Sequence, residues 1–200
     1  EFLHLAKGSK LVGEIGASVL QKASKALEAS SDALLTEERR FFVNVSHWQV
    51  ERDDWAEQLC RITHAGGLDD WSVHFEIAES DLLEHVEILS RLREKGCRLV
   101  LDEFGSGFSS LSRLRELDVD VVKLGSEFTR SMTSNETDAA IVDTVAHLGR
   151  TLGIDTLAKS VETAAQEDMF AACGYTAAQG FHFSAPKPLE GFLSEWRDDA

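Results

Sequence analysis

The feature that most constrains this chain is a regular alternation of two apolar periods along nearly all of its 200 residues. Helical spacing over residues 11–29 (Leu11, Val12, Ile15, Val19, Leu20, Ala23, Leu27) is followed by an aromatic and β-branched run at 41–45, FFVNV. A helical pattern at 53–64 precedes an alternating strand pattern at 73–78, VHFEIA. Residues 81–95 form a helix pattern with Ser80 as its N-cap and Gly96 as its stop. Strands follow at 98–101 and 119–124, then a helix at 136–152 ending at Gly153. A strand at 154–158, a helix at 164–173 ending at Gly174, and a last short strand at 177–183 complete the series. Repeated βα units of this kind predict an α/β fold, a parallel sheet with helices packed outside it. The length predicts a single domain over 1–200.

Composition narrows the function classes. Hydrophobic residues make up 43% of the chain, enough for a core, yet no window of about 18 consecutive apolar residues offers a membrane span. No signal-peptide pattern opens it, and the three cysteines, Cys60, Cys97 and Cys173, are odd in number, widely spaced and form no metal signature. A reducing, cytoplasmic setting is the expectation. A formal net charge of −15 argues against a groove tracking DNA or RNA phosphates. It leaves room for a small phosphate ligand held by a metal or by one or two lysines.

The chemistry sits at the strand ends. Residues 99–111, LVLDEFGSGFSSL, run from an apolar strand into two adjacent carboxylates, Asp102 and Glu103, and then a glycine-rich turn. Adjacent acids repel unless a positive group lies against them, and a divalent cation with oxygen ligands is the usual one. Strand by strand the polar residues at the same edge are Asn44, Glu76, Asp102 with Glu103, Lys123, Lys159 and Gln179. In a (β/α) barrel that rim is where sites are built.

At this point the chain resembles the EAL domain family, bacterial cyclic di-GMP phosphodiesterases. The matching pieces are VNVS (43–46), FEIAES (75–80), LDEFGSGFSSL (101–111), VDVVKL (119–124), AKSVET (158–163) and QGFHFSAP (179–186). They occur in the family's order. The resemblance implies a TIM-like (β/α) barrel of the EAL type with one antiparallel strand. It also implies a two-metal site, with Mg or Mn, that hydrolyses cyclic di-GMP to pGpG. Asn44, Glu76 and Asp102 match metal-ligand positions, and Glu103 stands where the family has a second aspartate, on a stem longer by roughly 1.5 Å. Lys123 matches the lysine near the metals, Gln179 the site glutamine, and Glu162 the second glutamate of the A-E-G-V-E motif. Glu79 matches the glutamate that anchors the following loop.

The departures bear on activity. The first glutamate of A-E-G-V-E, which resembles a general base, is Lys159; the glycine after it is Ser160; the aspartate after the family lysine is Gly125; and the threonine of E-I-T-E is Ala78. The E-A-L tripeptide and its metal-binding glutamate are absent, so the expectation is an N-terminally incomplete EAL-like domain without the first two strands of the barrel. A protonated lysine is not a base. Set beside Asp102, Glu103 and Glu76, its ammonium is expected to stand in for a cation. The expectation is therefore a degenerate EAL domain: a cyclic di-GMP receptor or a protein-interaction and regulatory module, possessing no bound metal. Two alternatives stay open: a weakly active phosphodiesterase in which Glu162 or Glu103 covers for the base, and a structural module that binds no nucleotide. The segment 105–115, GSGFSSLSRLR, is expected to contact a protein partner or a second copy of the chain.

Overall fold

The structure, a computed structural model, describes residues 11–28, 39–45, 71–79, 86–94, 96–106, 114, 118–188, 191–192 and 194. The expected helix at 53–64, the start of the one at 81–95 and most of the loop 105–115 lie outside them. The chain divides into two compact units, one of Glu1–Glu76, His85–Arg98 and Pro186–Ala200, the other of Ile77–Glu84 and Leu99–Ala185.

In the first unit, α1 (Leu11–Glu28) lies against β1 (Arg39–Val45), and β1 is the neighbour of β2 (Trp71–Ala78). The Phe42 ring stacks against the buried His74 ring at 5.1 Å between centroids. In β2, His74, Phe75 and Glu76 are buried in succession, so both faces of the strand are covered. Helix α2 (Val86–Glu94) buries Leu89 and Leu92, three residues apart on one face. It stops where Gly96 turns left-handed at φ +80° and donates its N–H to the Arg93 carbonyl.

The second unit holds the end of β2, then β3 (Arg98–Phe104), β4 (Val121–Leu124), β5 (Asp155–Ala158) and β6 (Ala177–Ala178) in sheet order. β3, β4, β5 and β6 pair in parallel. Helix α3 (Ser126–Ser131) follows β4 directly. Helix α4 (Glu136–Leu152) and helix α5 (Ala164–Cys173) make the crossovers that parallel pairing requires. Asn135 caps α4 by accepting from the Thr137 N–H, and Gly153 ends it at φ +71°. Thr163 and Gln166 form a reciprocal capping box at the start of α5, and Gly174 ends it. The aromatic edge of Tyr175 packs on Phe170, its hydroxyl donates to the Val142 carbonyl, and burial pushes its phenol above the ordinary range.

Two strand ends differ from expectation. β3 does not stop at residue 101 but runs through both acids to Phe104, with its pairing shifting between Leu101↔Val122 and Phe104↔Leu124. Three steps on β3 match two on β4, so a bulge sits at Asp102 and Glu103, where Glu103 takes a left-handed φ of 58°. The extra residue returns Phe104 to the face of Leu101, where it lines a small void with Val122, Val145, Leu148, Gly149 and Thr156, while Asp102 stays on the opposite face. At the other end, β6 is two residues long rather than spanning 177–183. Gly180 passes so close to Val161 that a Cβ there would overlap the Val161 backbone, and residues 181–183 turn away as His182 N–H bonds the Val161 carbonyl.

Candidate functional site

On one face of β3, β4 and β5 the register gathers the polar residues of the second unit. Val100↔Val121 and Lys123↔Leu157 are matched pairs, so Asp102, Lys123 and Lys159 rise from the same side of neighbouring strands. Lys159, just past the end of β5, reaches to β3: its Nζ lies 2.7 Å from Asp102 Oδ1 and 2.9 Å from Oδ2. The two side chains are 22% and 15% exposed, so water screens this pair only in part. Asp102 Oδ1 also accepts the backbone N–H of Glu103. Glu103 is exposed and is not among the partners of Lys159, which corrects the expectation that the ammonium would serve both acids: Glu103 sits in the bulge with a left-handed backbone.

Lys123 is 2% exposed, the most deeply buried charge on this face, and its Nζ lies 3.4 Å from Gln179 Oε1. Gln179 is brought there by β5 and the turn after it: its N–H bonds the Ala158 carbonyl and its carbonyl accepts from Val161. Glu162 is exposed; its backbone N–H and that of Thr163 both go to Gln166 Oε1, while Gln166 Nε2 bonds the Thr129 carbonyl. Gln166 thus ties the AKSVET segment to α3. Glu79 is 4% exposed; its Oε2 accepts from the Gly105 N–H at 3.1 Å, and its Oε1 is buried with no hydrogen-bond partner among the described residues. Asn44, exposed near the end of β1, and Glu76, buried near the end of β2, belong to the first unit.

A residue that sequence reasoning passed over also lies here. Glu127, in the first turn of α3, folds its carboxylate back over Gly125: Oε2 and Oε1 lie 2.7 and 2.8 Å from where a Cβ of residue 125 would stand. The signal was an acid two positions after Gly125, in KLGSE.

A scan for family likeness matches the EAL domain model over residues 1–186. The chain belongs to the EAL domain family. This EAL domain is 31% identical over 200 residues to the cyclic di-GMP phosphodiesterase PdeB of Shewanella oneidensis, covering 98% of the chain and 23% of PdeB. It thus spans about a quarter of that relative's length. Among solved structures it resembles the PaMucR phosphodiesterase in complex with c-di-GMP, at 28% identity and TM-score 0.86, over 96% of this chain and 78% of that one. It also resembles the manganese and cyclic di-GMP complex of Klebsiella pneumoniae BlrP1, at 28% identity and TM-score 0.71, over 84% and 44%. The fold is the TIM-like (β/α) barrel of the EAL type.

Divalent metal is therefore part of this family's chemistry, and the described residues can be tested against it. Both oxygens of Asp102 are taken by an ammonium. Among the described residues no three His, Cys, Asp or Glu side chains gather closely enough to hold a metal ion. The arrangement does not fit a divalent cation at Asp102. No helix of the described residues is long and apolar enough to cross a membrane.

Proposed function

We propose that this EAL domain works in cyclic di-GMP signalling as a degenerate member, a nucleotide receptor with a regulatory or protein-interaction role, and not as a phosphodiesterase. The observation that carries the reading is the Lys159–Asp102 ion pair. Hydrolysis needs a group that deprotonates water. At the position where the resemblance implies the base stands a lysine bound to the Asp102 carboxylate, in place of a carboxylate free to take a proton. Relatives that act on or bind cyclic di-GMP make that nucleotide the ligand of choice. Lys123 with Gln179, and Glu79 on Gly105, keep the rest of the strand-end set in place to receive it.

The test is to incubate the chain with cyclic di-GMP and manganese and follow pGpG by chromatography, with binding measured in parallel by calorimetry. Binding without product supports the reading. Turnover near ~1 s⁻¹, within the ordinary enzyme range, would sink it. The loop 105–115 belongs to the proposal as the contact with a protein partner or second copy. Phe108→Ala should then shift the sedimentation profile or abolish partner capture.

A further inference from the structure

We propose that this site takes the phosphodiester of its nucleotide directly on the Lys159 ammonium, with no divalent ion between protein and phosphate. The inference rests on the receptor reading above and goes on to name what holds the ligand. An ammonium has three N–H donors. Two are spent on Asp102 Oδ1 and Oδ2, and among the described residues the third has no acceptor. With 22% of its side chain exposed, Lys159 is open to a ligand while anchored from behind. A lysine fixed in this way is a point charge suited to a single phosphate oxygen.

The backbone explains why the reach is possible. Lys123 is matched to Leu157, and two residues on, just past the ends of the two strands, stand Gly125 and Lys159. Gly125, just past the end of β4, carries no side chain there, and Lys123 is the last β4 side chain on this face. Where the resemblance implies an acid at 125 and a base at 159 the chain has a glycine and an ammonium, each just past the end of one of two neighbouring strands. The carboxylate that does lie over Gly125, that of Glu127, comes from α3 and carries a flexible stem. A divalent ion would have to strip the ammonium from both oxygens of Asp102 and then sit near Lys123 as well, with like charges opposing it. A phosphate need not displace the ammonium from Asp102: it meets the free face of Lys159, against the repulsion of the nearby Asp102 and Glu127 carboxylates.

The experiment titrates the chain with cyclic di-GMP in EDTA and again in millimolar Mn²⁺. The expected result is the same affinity in both buffers, within about twofold. Lys159→Met should weaken binding in EDTA by about tenfold or more, the effect of one lost charge-assisted hydrogen bond. Asp102→Asn, which keeps the ammonium but loosens its anchor, should weaken binding less than Lys159→Met does. Should Lys159→Met fail to fold, the comparison of the two buffers still decides. Binding that needs Mn²⁺ overturns the inference and leaves the receptor reading standing. Unchanged affinity in a folded Lys159→Met, or a loss in Asp102→Asn greater than that in a folded Lys159→Met, also overturns it. No binding in either buffer sinks the receptor reading itself, and this inference with it.

Discussion

Two turns of the second unit repeat one device and differ in how it is held. At the end of β3, Asp102 is followed by Glu103 at φ 58°; at the end of β5, Lys159 is followed by Ser160 at φ 58°. Each turn places its charged residue and then swings the backbone left-handed, a conformation L-residues adopt at a cost. The charged residues then bond each other, which ties the two turns together. Around Glu103 the backbone is braced locally. Its carbonyl accepts from both the Ser106 N–H and the Ser106 hydroxyl, at 3.2 and 2.6 Å, and its N–H goes to Asp102. Among the described residues Ser160 has no such brace; its turn is held by its flanks, where Val161 lies on the Gly180 backbone and Gln166 holds the N–H groups of Glu162 and Thr163. The β3 turn thus carries a brace of its own besides the outside anchor of Glu79 on Gly105, whereas the β5 turn is held by what packs around it.

The sharpest way to break this contrast is to remove the outside support. Gly180→Ala forces a Cβ into the Val161 backbone, which cannot give way as a side chain can. It should cost about 3 kcal/mol in urea unfolding, at the upper end of overpacking effects. A cost near zero would mean the β5 turn holds itself. Next comes the tie between the turns. Lys159→Met leaves Asp102 partly buried and unpaired and should cost about 1–3 kcal/mol. Adding Asp102→Asn should recover part of that, and strictly additive losses would show that the pair does not couple the turns. The local brace is smaller. Ser106→Ala removes one of two bonds to the Glu103 carbonyl and should cost about 0.5–1 kcal/mol, read as a shift in the urea midpoint.

How far these turns were legible in the sequence follows the same division. The helices 136–152 and 164–173 were readable to the residue, because Asn135, Thr163 with Gln166, Gly153 and Gly174 are local signals that act within one turn of the chain. The strands were readable in place but not in extent. FHF at 181–183 alternates like a strand, yet the contact of Gly180 with Val161, about twenty residues away in sequence, turns it aside. The bulge at Asp102 was hidden because an inserted residue shows only against the partner strand. Helix α3, six residues long, is too short to display a period. For the site, the residue types at the strand ends were legible, and their pairings depended on reach. That Lys159 takes Asp102 and not Glu103, and that Glu127 lies over Gly125, are consequences of side-chain length across a folded sheet.

The smallest expected effect isolates the backbone cost itself. If Ser160 is held left-handed by its surroundings alone, a residue that adopts that conformation freely should be an improvement there. Glycine avoids the steric penalty of about 1–2 kcal/mol for an L-residue, but loses more freedom on folding, by about 0.5–1 kcal/mol. Ser160→Gly should therefore stabilise the chain by only about 0.5 kcal/mol, a rise in Tm of about 1–2 °C for a chain of this size. Ser160→Ala supplies the control. Alanine removes the hydroxyl yet keeps the Cβ, so it should bring no gain. Equal gains from both variants would place the cost in the serine hydroxyl and not in the backbone, and the likeness between the two turns would then be one of angle without a shared energetic cause.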